Sequence, residues 1–188
     1  VVKLSVHNSR VVGNPMEPRA CLAAYRPEEG MYHLYTCTQG APIMRNQLSA
    51  VLGVPPEKIR VIAEEVGGGF GVRFNLYPEY CAALFAAKAL GRPVKWTGTR
   101  SEVFLADEQA RDVLSHGELA LDASGCIVGM RFDMLANLGA YLAPTGPFIN
   151  TIGIVNCISG VYDVPATYAR IRLALTNTAP MAAYRGAG

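Results

Sequence analysis

Residues 59–71 read IRVIAEEVGGGFG, and residues 78–90 read PEYCAALFAAKAL. The first stretch is a β-branched run, Ile59–Val66, that feeds straight into four glycines in five positions. The second has Glu79 in its first turn, alanine as its commonest residue and Gly91 just past its end, which predicts a helix over Pro78–Leu90. Strand, glycine loop and helix thus follow one another in mid-chain. Each glycine costs about 1 kcal/mol of backbone entropy against alanine in regular structure, so the cluster serves neither strand nor helix. It suits a tight strand-to-helix turn, or a run of bare backbone N–H groups that can nest an anion. Two familiar phosphate loops do not match. No Lys-Ser or Lys-Thr follows the glycines, and the dinucleotide fingerprint would need a third glycine at Val72.

Outward from this centre, Ala20–Arg26 and Met31–Thr38 flank Pro27-Glu28-Glu29-Gly30 and predict a hairpin. Ala41–Leu52 carries apolar residues at helical spacing and ends at Gly53 as a C-cap. Val94–Thr97 is a short strand. Val113–Leu121 and Ile127–Leu135 alternate around Asp122-Ala123-Ser124-Gly125 as a second hairpin, and Tyr168–Thr176 is a final strand. The first dozen residues form an extended lead-in to Gly13-Asn14-Pro15, and Thr99–Arg111 is a polar stretch. The pattern implies an α+β fold: mixed sheets with β-hairpins and two main helices, in two closely packed lobes. A division near Gly98–Ser101 would separate an N-terminal lobe, 1–98, holding the glycine loop, from a second lobe, 99–188.

Composition narrows the function classes. With 188 residues, 51% hydrophobic and 17% charged, the chain can bury a real core, which excludes a disordered tail or a disulfide-stapled miniprotein. Seventeen basic against 15 acidic residues leave a net charge of +2, and the basic residues are scattered, which argues against nucleic acid as a partner. The five cysteines, Cys21, Cys37, Cys81, Cys126 and Cys157, form no C-x-x-C and stand apart from histidine. They support no zinc knuckle, redox motif or disulfide framework, and read as small buried hydrophobes in a reducing, cytoplasmic setting. The N-terminal residues lack the layout of a signal peptide. No charge occurs from Met134 to Tyr162, but Pro144, Pro147 and four glycines interrupt that run, so no membrane span is expected. It reads as backbone buried in protein, and its length hints at more protein packed against it.

Two further segments can carry chemistry. Gln39, in Thr36–Gly40 between a strand and a helix, can donate a hydrogen bond to an oxo or carbonyl oxygen, or sit in a helix-capping turn. Arg185, in Ala182–Gly188, can grip a phosphate or carboxylate, or be solvated near a terminus.

Gln39, the GGGFG cluster and the Tyr184-Arg185-Gly186-Ala187-Gly188 ending, in this order and spacing, resemble the molybdenum hydroxylases. That family comprises the large molybdopterin-binding subunits of xanthine dehydrogenase, aldehyde oxidase and carbon monoxide dehydrogenase type. Met16-Glu17-Pro18-Arg19, Tyr77-Pro78-Glu79, Gln109-Ala110-Arg111, Gly139-Ala140-Tyr141 and Thr176-Asn177-Thr178 extend the resemblance over nearly the whole chain. It implies a molybdopterin cofactor, of cytosine dinucleotide form, whose dithiolene holds molybdenum without protein ligands. It further implies FAD and 2Fe-2S clusters on partner subunits or domains, the remainder of the large subunit, and a small-molecule substrate.

By the same resemblance Gln39 hydrogen-bonds the metal's apical oxo ligand, and Gly68, Gly69, Phe70 and Gly71 approach the cofactor with backbone donors. Gln39 and Arg185 are the implied catalytic residues; Arg185, with Ala183 and Tyr184 beside it, contacts the cofactor and lies by the substrate pocket, which Phe70 and Phe74 line. Phe74 stands where purine-oxidising members carry a glutamate, and Gly186 stands where the copper-containing members carry a cysteine. Hence an aldehyde or heteroaromatic carbon is the expected substrate. The family's general-base glutamate lies beyond Gly188, and Glu64 and Glu65 do not replace it. The chain thus reads as a fragment, inactive in isolation. The alternatives are a non-catalytic anion- or nucleotide-binding module using the Gly67–Gly71 amides, and an interaction domain built on the uncharged run.

Overall fold

The structure, a computed structural model, describes residues 1–184. Two extended segments come first, β1 (Val2–Asn8) and β2 (Val11–Val12). The next stretch, Gly13–Asp107, is one compact unit, while Val1–Val12 joins the chain from Glu108 onward in the other. The chain passes from one unit to the other at Val12/Gly13 and at Asp107/Glu108, not near Gly98–Ser101, and the N-terminal strand belongs with the C-terminal part because its hydrogen-bonding partner is there.

In the Gly13–Asp107 unit, β3 (Ala20–Arg26) and β4 (Met31–Thr36) form the expected hairpin. Helix α1 (Ala41–Leu52) follows, then β5 (Ile59–Ile62), helix α2 (Pro78–Leu90), β6 (Val94–Thr97) and helix α3 (Arg100–Ala106). The sheet order is β5-β4-β3-β6, mixed, with β5 parallel to β4 and the other pairs antiparallel. Both long helices run over the expected residues and stop at Gly53 and Gly91 in the left-handed conformation. Tyr80, Ala83, Leu84 and Ala87 of α2, spaced three or four apart, bury one stripe, and Met44 and Leu48 do the same for α1. They pack with Cys21, Ala23, Leu34 and Ile59 of the sheet as one core.

Three elements depart from the expectation. β5 ends at Ile62 rather than Val66, since its pairing with β4 runs only from Tyr32 to Tyr35. β4 ends at Thr36 because Thr38 and Gln39 hydrogen-bond to Arg73 instead of to a strand. The polar stretch after Gly98 holds α3, whose start is a capping box: Thr99 Oγ1 accepts from the Glu102 N–H, and the Glu102 carboxylate accepts from the Thr99 N–H.

The other unit contains β7 (Gln109–Ala110), paired with β2, and a sheet ordered β1-β8-β9-β10. Here β8 (Val113–Leu121) and β9 (Ile127–Gly139) are the second hairpin, and β10 (Thr167–Leu175) lies parallel to β9. Val113, Met134 and Ala136 form its buried cluster, against which Phe132, Ile154, Ile158 and Ile171 pack. The uncharged run folds as the end of β9, a short helix α4 (Gly146–Phe148) and a π-helical turn, Ile149–Gly153. It leaves Phe148, Ile152, Val155, Val161 and Tyr162 exposed. Among the described residues no helix is long and apolar enough to cross a membrane. The cysteine reading holds only in part: Cys21 and Cys37 are buried and Cys81 half-buried, but Cys126 and Cys157 are exposed because they lie in turns rather than in a core element. Burial pushes the Cys21 thiol up to about 11, so it stays protonated and inert.

Candidate functional site

Gln39 leaves β4 just before Gly40, the residue that precedes the first turn of α1. Its side-chain Oε1 accepts two backbone N–H groups of the glycine loop, from Gly71 at 2.7 Å and from Arg73 at 3.2 Å. Its own N–H donates to the Arg73 carbonyl at 3.1 Å, and Thr38 Oγ1 donates to the same oxygen at 3.2 Å. Two donors facing one end of an amide decide which end is oxygen. The exposed Gln39 side chain therefore presents its Nε2 as a donor to whatever lies outside the loop.

The loop is shaped around that side chain. A Cβ on Gly69 would lie 2.5 Å from Gln39 Cγ and Cδ, so only glycine lets the glutamine through. Gly71 has φ +100 and Phe70 has φ 54, both in the left-handed region, and short bonds from Val72 N–H to Gly69 and from Phe74 N–H to Gly71 close successive turns. The Gly71 N–H is thus committed to Gln39 and is not a free donor, contrary to the expectation for the cluster. Gly67 donates to the Glu17 carboxylate at 2.8 Å. Among the described residues, the N–H groups of Gly68 and Gly69 have no such internal partner. Among the described residues, these two amides and the Gln39 Nε2 are candidate donors to a ligand.

Beneath the loop lies a charged cluster that the sequence reading did not single out. Arg19, Arg73 and Asp107 are all buried, with Asp107 bridging the two arginines: it accepts from Arg19 Nε and, at 2.9 Å, from Arg73 Nη1. Arg73 Nη2 donates to the Glu17 carbonyl at 2.9 Å, and Arg19 holds Glu79 through two bonds of 2.7 and 3.1 Å. The Arg19 guanidinium also sits 3.9 Å over the Tyr77 ring. Burial by itself would lower the Arg19 pKa, but its bonds to Glu79 and Asp107 outweigh that and raise it. In return burial raises the Glu79 carboxyl while Arg19 holds it below its ordinary value. The Met16–Arg19 motif and Glu79 were the available signals. Arg73 and Asp107 carried none, since nothing near them in sequence says they are buried.

Gln39, Gly68, Gly69, Phe70, Gly71 and Phe74 thus come together in one unit, with Phe70 and Phe74 half-buried. Ala183 and Tyr184 belong to the other unit. There Ala182 N–H donates to Gln109 at 2.7 Å and Met181 N–H to Leu138 at 3.0 Å. A Cβ on Gly139 would lie 2.3 Å from the Ala179 carbonyl, so glycine permits this close passage of the two segments. Tyr184 receives the Arg111 guanidinium 5.8 Å from its ring centre. Arg185 lies outside the described residues.

The family model of the molybdopterin cofactor-binding domain matches residues 1–188. The chain is 35% identical over 179 residues to the carbon monoxide dehydrogenase large chain of Hydrogenophaga pseudoflava, covering 95% of this chain and 22% of that one. It is 36% identical over 190 residues to the nicotine 6-hydroxylase large subunit of Paenarthrobacter nicotinovorans, covering 100% of this chain and 23% of the relative. The crystal structure of quinoline 2-oxidoreductase from Pseudomonas putida 86 superposes with a TM-score of 0.95 at 32% identity, over 100% of this chain and 24% of that one. The chain therefore spans about a quarter of the length of these relatives. With a family model matched from end to end and a glycine loop built around a glutamine donor, the chain belongs to the molybdopterin cofactor-binding domain family of the molybdenum hydroxylases.

Proposed function

We propose that this chain is the cofactor-cradling part of a molybdenum hydroxylase that oxidises an aldehyde or heteroaromatic carbon, with oxygen taken from water. The observation that carries the reading is the forced orientation of Gln39, whose oxygen is held by Gly71 and Arg73 so that its Nε2 faces outward. The residues fit such a group: one neutral side-chain donor and the bare Gly68 and Gly69 amides suit oxygen acceptors, and the absent Cβ of Gly69 makes room for the Gln39 side chain that carries the donor. When bound, molybdopterin would supply the redox-active metal centre for a two-electron hydroxylation of carbon. Gln39 would hold the metal's oxo group by one hydrogen bond, and Gly68 and Gly69 would hold the pterin side. Because these donors are in place beforehand, little reorganisation accompanies charge growth on oxygen. Phe70 and Phe74 would exclude water and favour a flat apolar substrate, and Arg185, with Ala183 and Tyr184 beside it in sequence, would steer substrate or cofactor.

The cytosine dinucleotide form of the cofactor, FAD and 2Fe-2S clusters on partner subunits or domains, and a cytoplasmic setting complete the proposal. Its test is the full-length protein purified with its partners. Molybdenum and pterin are expected at close to one each per chain, with turnover of quinoline or benzaldehyde placing label from heavy-oxygen water in the product. Gln39→Ala and Arg185→Ala should each cut turnover at least tenfold with little loss of melting temperature. Normal rates in both variants would overturn the site. The isolated 188-residue chain should turn over neither compound. If instead it binds ADP or phosphate at the Gly68 and Gly69 amides, the anion-binding module is the correct reading.

A further inference from the structure

We infer that Arg73 is a positioning residue for the Gln39 amide, with Asp107 as its anchor. The inference rests on Gln39 being the donor proposed above. Gln39 touches the glycine loop through three hydrogen bonds, and two of them are made by the backbone of Arg73: its N–H to Gln39 Oε1 and its carbonyl to the Gln39 N–H. Where the Arg73 peptide goes, Gln39 goes.

The Arg73 side chain explains why that peptide stays in place. It is buried, at 1% exposure, and one arm of its fork reaches Asp107 while the other reaches the Glu17 carbonyl. Burying a guanidinium is costly, and a buried ion pair is often no more stabilising than apolar residues of the same volume. A loop that needed only filling would be served by methionine or leucine. What the guanidinium adds is direction, because its planar fork fixes two donors at set angles. Arg73 Nε is buried without a hydrogen-bond partner among the described residues, so the fork is oriented by Asp107 and Glu17 and not by satisfying all its own donors. Asp107 is in turn held from its other oxygen by Arg19. The chain of contacts runs from Arg19 through Asp107 and Arg73 to Gln39, entirely within the Gly13–Asp107 unit. An error of about 1 Å at a reacting group can cost a hundredfold in rate, which gives such an anchor its use.

The test compares Arg73→Lys, Arg73→Met and Gln39→Ala in the full-length protein with its partners. Arg73→Lys keeps the charge and one donor, so it survives folding even where the methionine variant does not. Molybdenum and pterin content in Arg73→Lys should stay within twofold of the unsubstituted protein. After partial reduction with dithionite, its molybdenum(V) paramagnetic signal should move in the same direction as that of Gln39→Ala. The double variant should match Gln39→Ala alone, since both changes act through one group. A signal at the unsubstituted position in the loaded Arg73 variants, or effects that add, would overturn the inference. Should the unsubstituted protein hold neither molybdenum nor pterin, the proposed function fails and amide exchange decides the positioning. Exchange at the Gly71 and Arg73 amides at least tenfold faster in every variant supports it, and unchanged exchange overturns it.

Discussion

In the Gly13–Asp107 unit the ion pairs Arg19–Asp107 and Arg73–Asp107 have side chains 0% exposed at both partners. In the other unit two pairs lie on one face of the β1-β8-β9-β10 sheet, Lys3–Glu118 at 71% and 32% exposure and Arg170–Asp133 at 54% and 23%, while Arg10–Asp112 is half-buried at 20% and 25%. Both units use arginine and carboxylate, but the surroundings give the pairs different work. An exposed pair is screened by water and salt and contributes little. A buried one is expensive to make and more expensive to break, since removal of one partner strands the other without solvent. The buried cluster belongs to the unit that holds the glycine loop, and the exposed pairs belong to the other unit. Charge has been placed inside where a backbone must be held in one position.

The sharpest way to break this contrast is Asp107→Ala, which strands two buried guanidinium groups at once. We expect a loss of about 3–5 kcal/mol in thermal or denaturant unfolding. A loss under 1 kcal/mol would mean that the cluster is solvated and the contrast false. Next in size is Gly69→Ala, whose added Cβ must displace Gln39; about 1–3 kcal/mol is expected from overpacking, together with loss of bound pterin. Retention of pterin would show that the loop yields around the methyl group. Glu79→Gln should cost about 1–2 kcal/mol at pH 7, the value of a hydrogen bond to a charged group. Glu79 is held below its ordinary value of 4.5, so its contribution is complete above that pH and fades as pH falls through the lower folded value. The difference in melting temperature between Glu79→Gln and the unsubstituted protein should narrow on acidification, and a constant difference would refute the assignment. Smallest is Lys3→Ala, which should leave the melting temperature unchanged. A measurable drop there would erase the distinction between the two faces.

Much of the architecture could be read before any coordinates. Ala41–Leu52 and Pro78–Leu90 were legible because their periodic apolar positions end at glycines that take the left-handed turn. Helix Arg100–Ala106 escaped notice although Thr99 and Glu102 stood at capping-box spacing, because seven residues show less than two full turns of periodicity. The glycine cluster and Gln39 stood out in the sequence as candidate site residues. That Gly71 gives its N–H to Gln39 was not, because the partner lies 32 positions away.

The amino-acid order alone determined the local elements, the family and the residue types of the cradle, since backbone preference and motif spacing act over a few neighbouring positions. Tertiary structure decided which end of the Gln39 amide faces outward, which glycine amides remain available, and that Arg19, Arg73 and Asp107 are buried together. Those properties belong to contacts between segments 32 to 88 residues apart. No local pattern can encode the burial of a charge, because burial is a property of everything that packs around it.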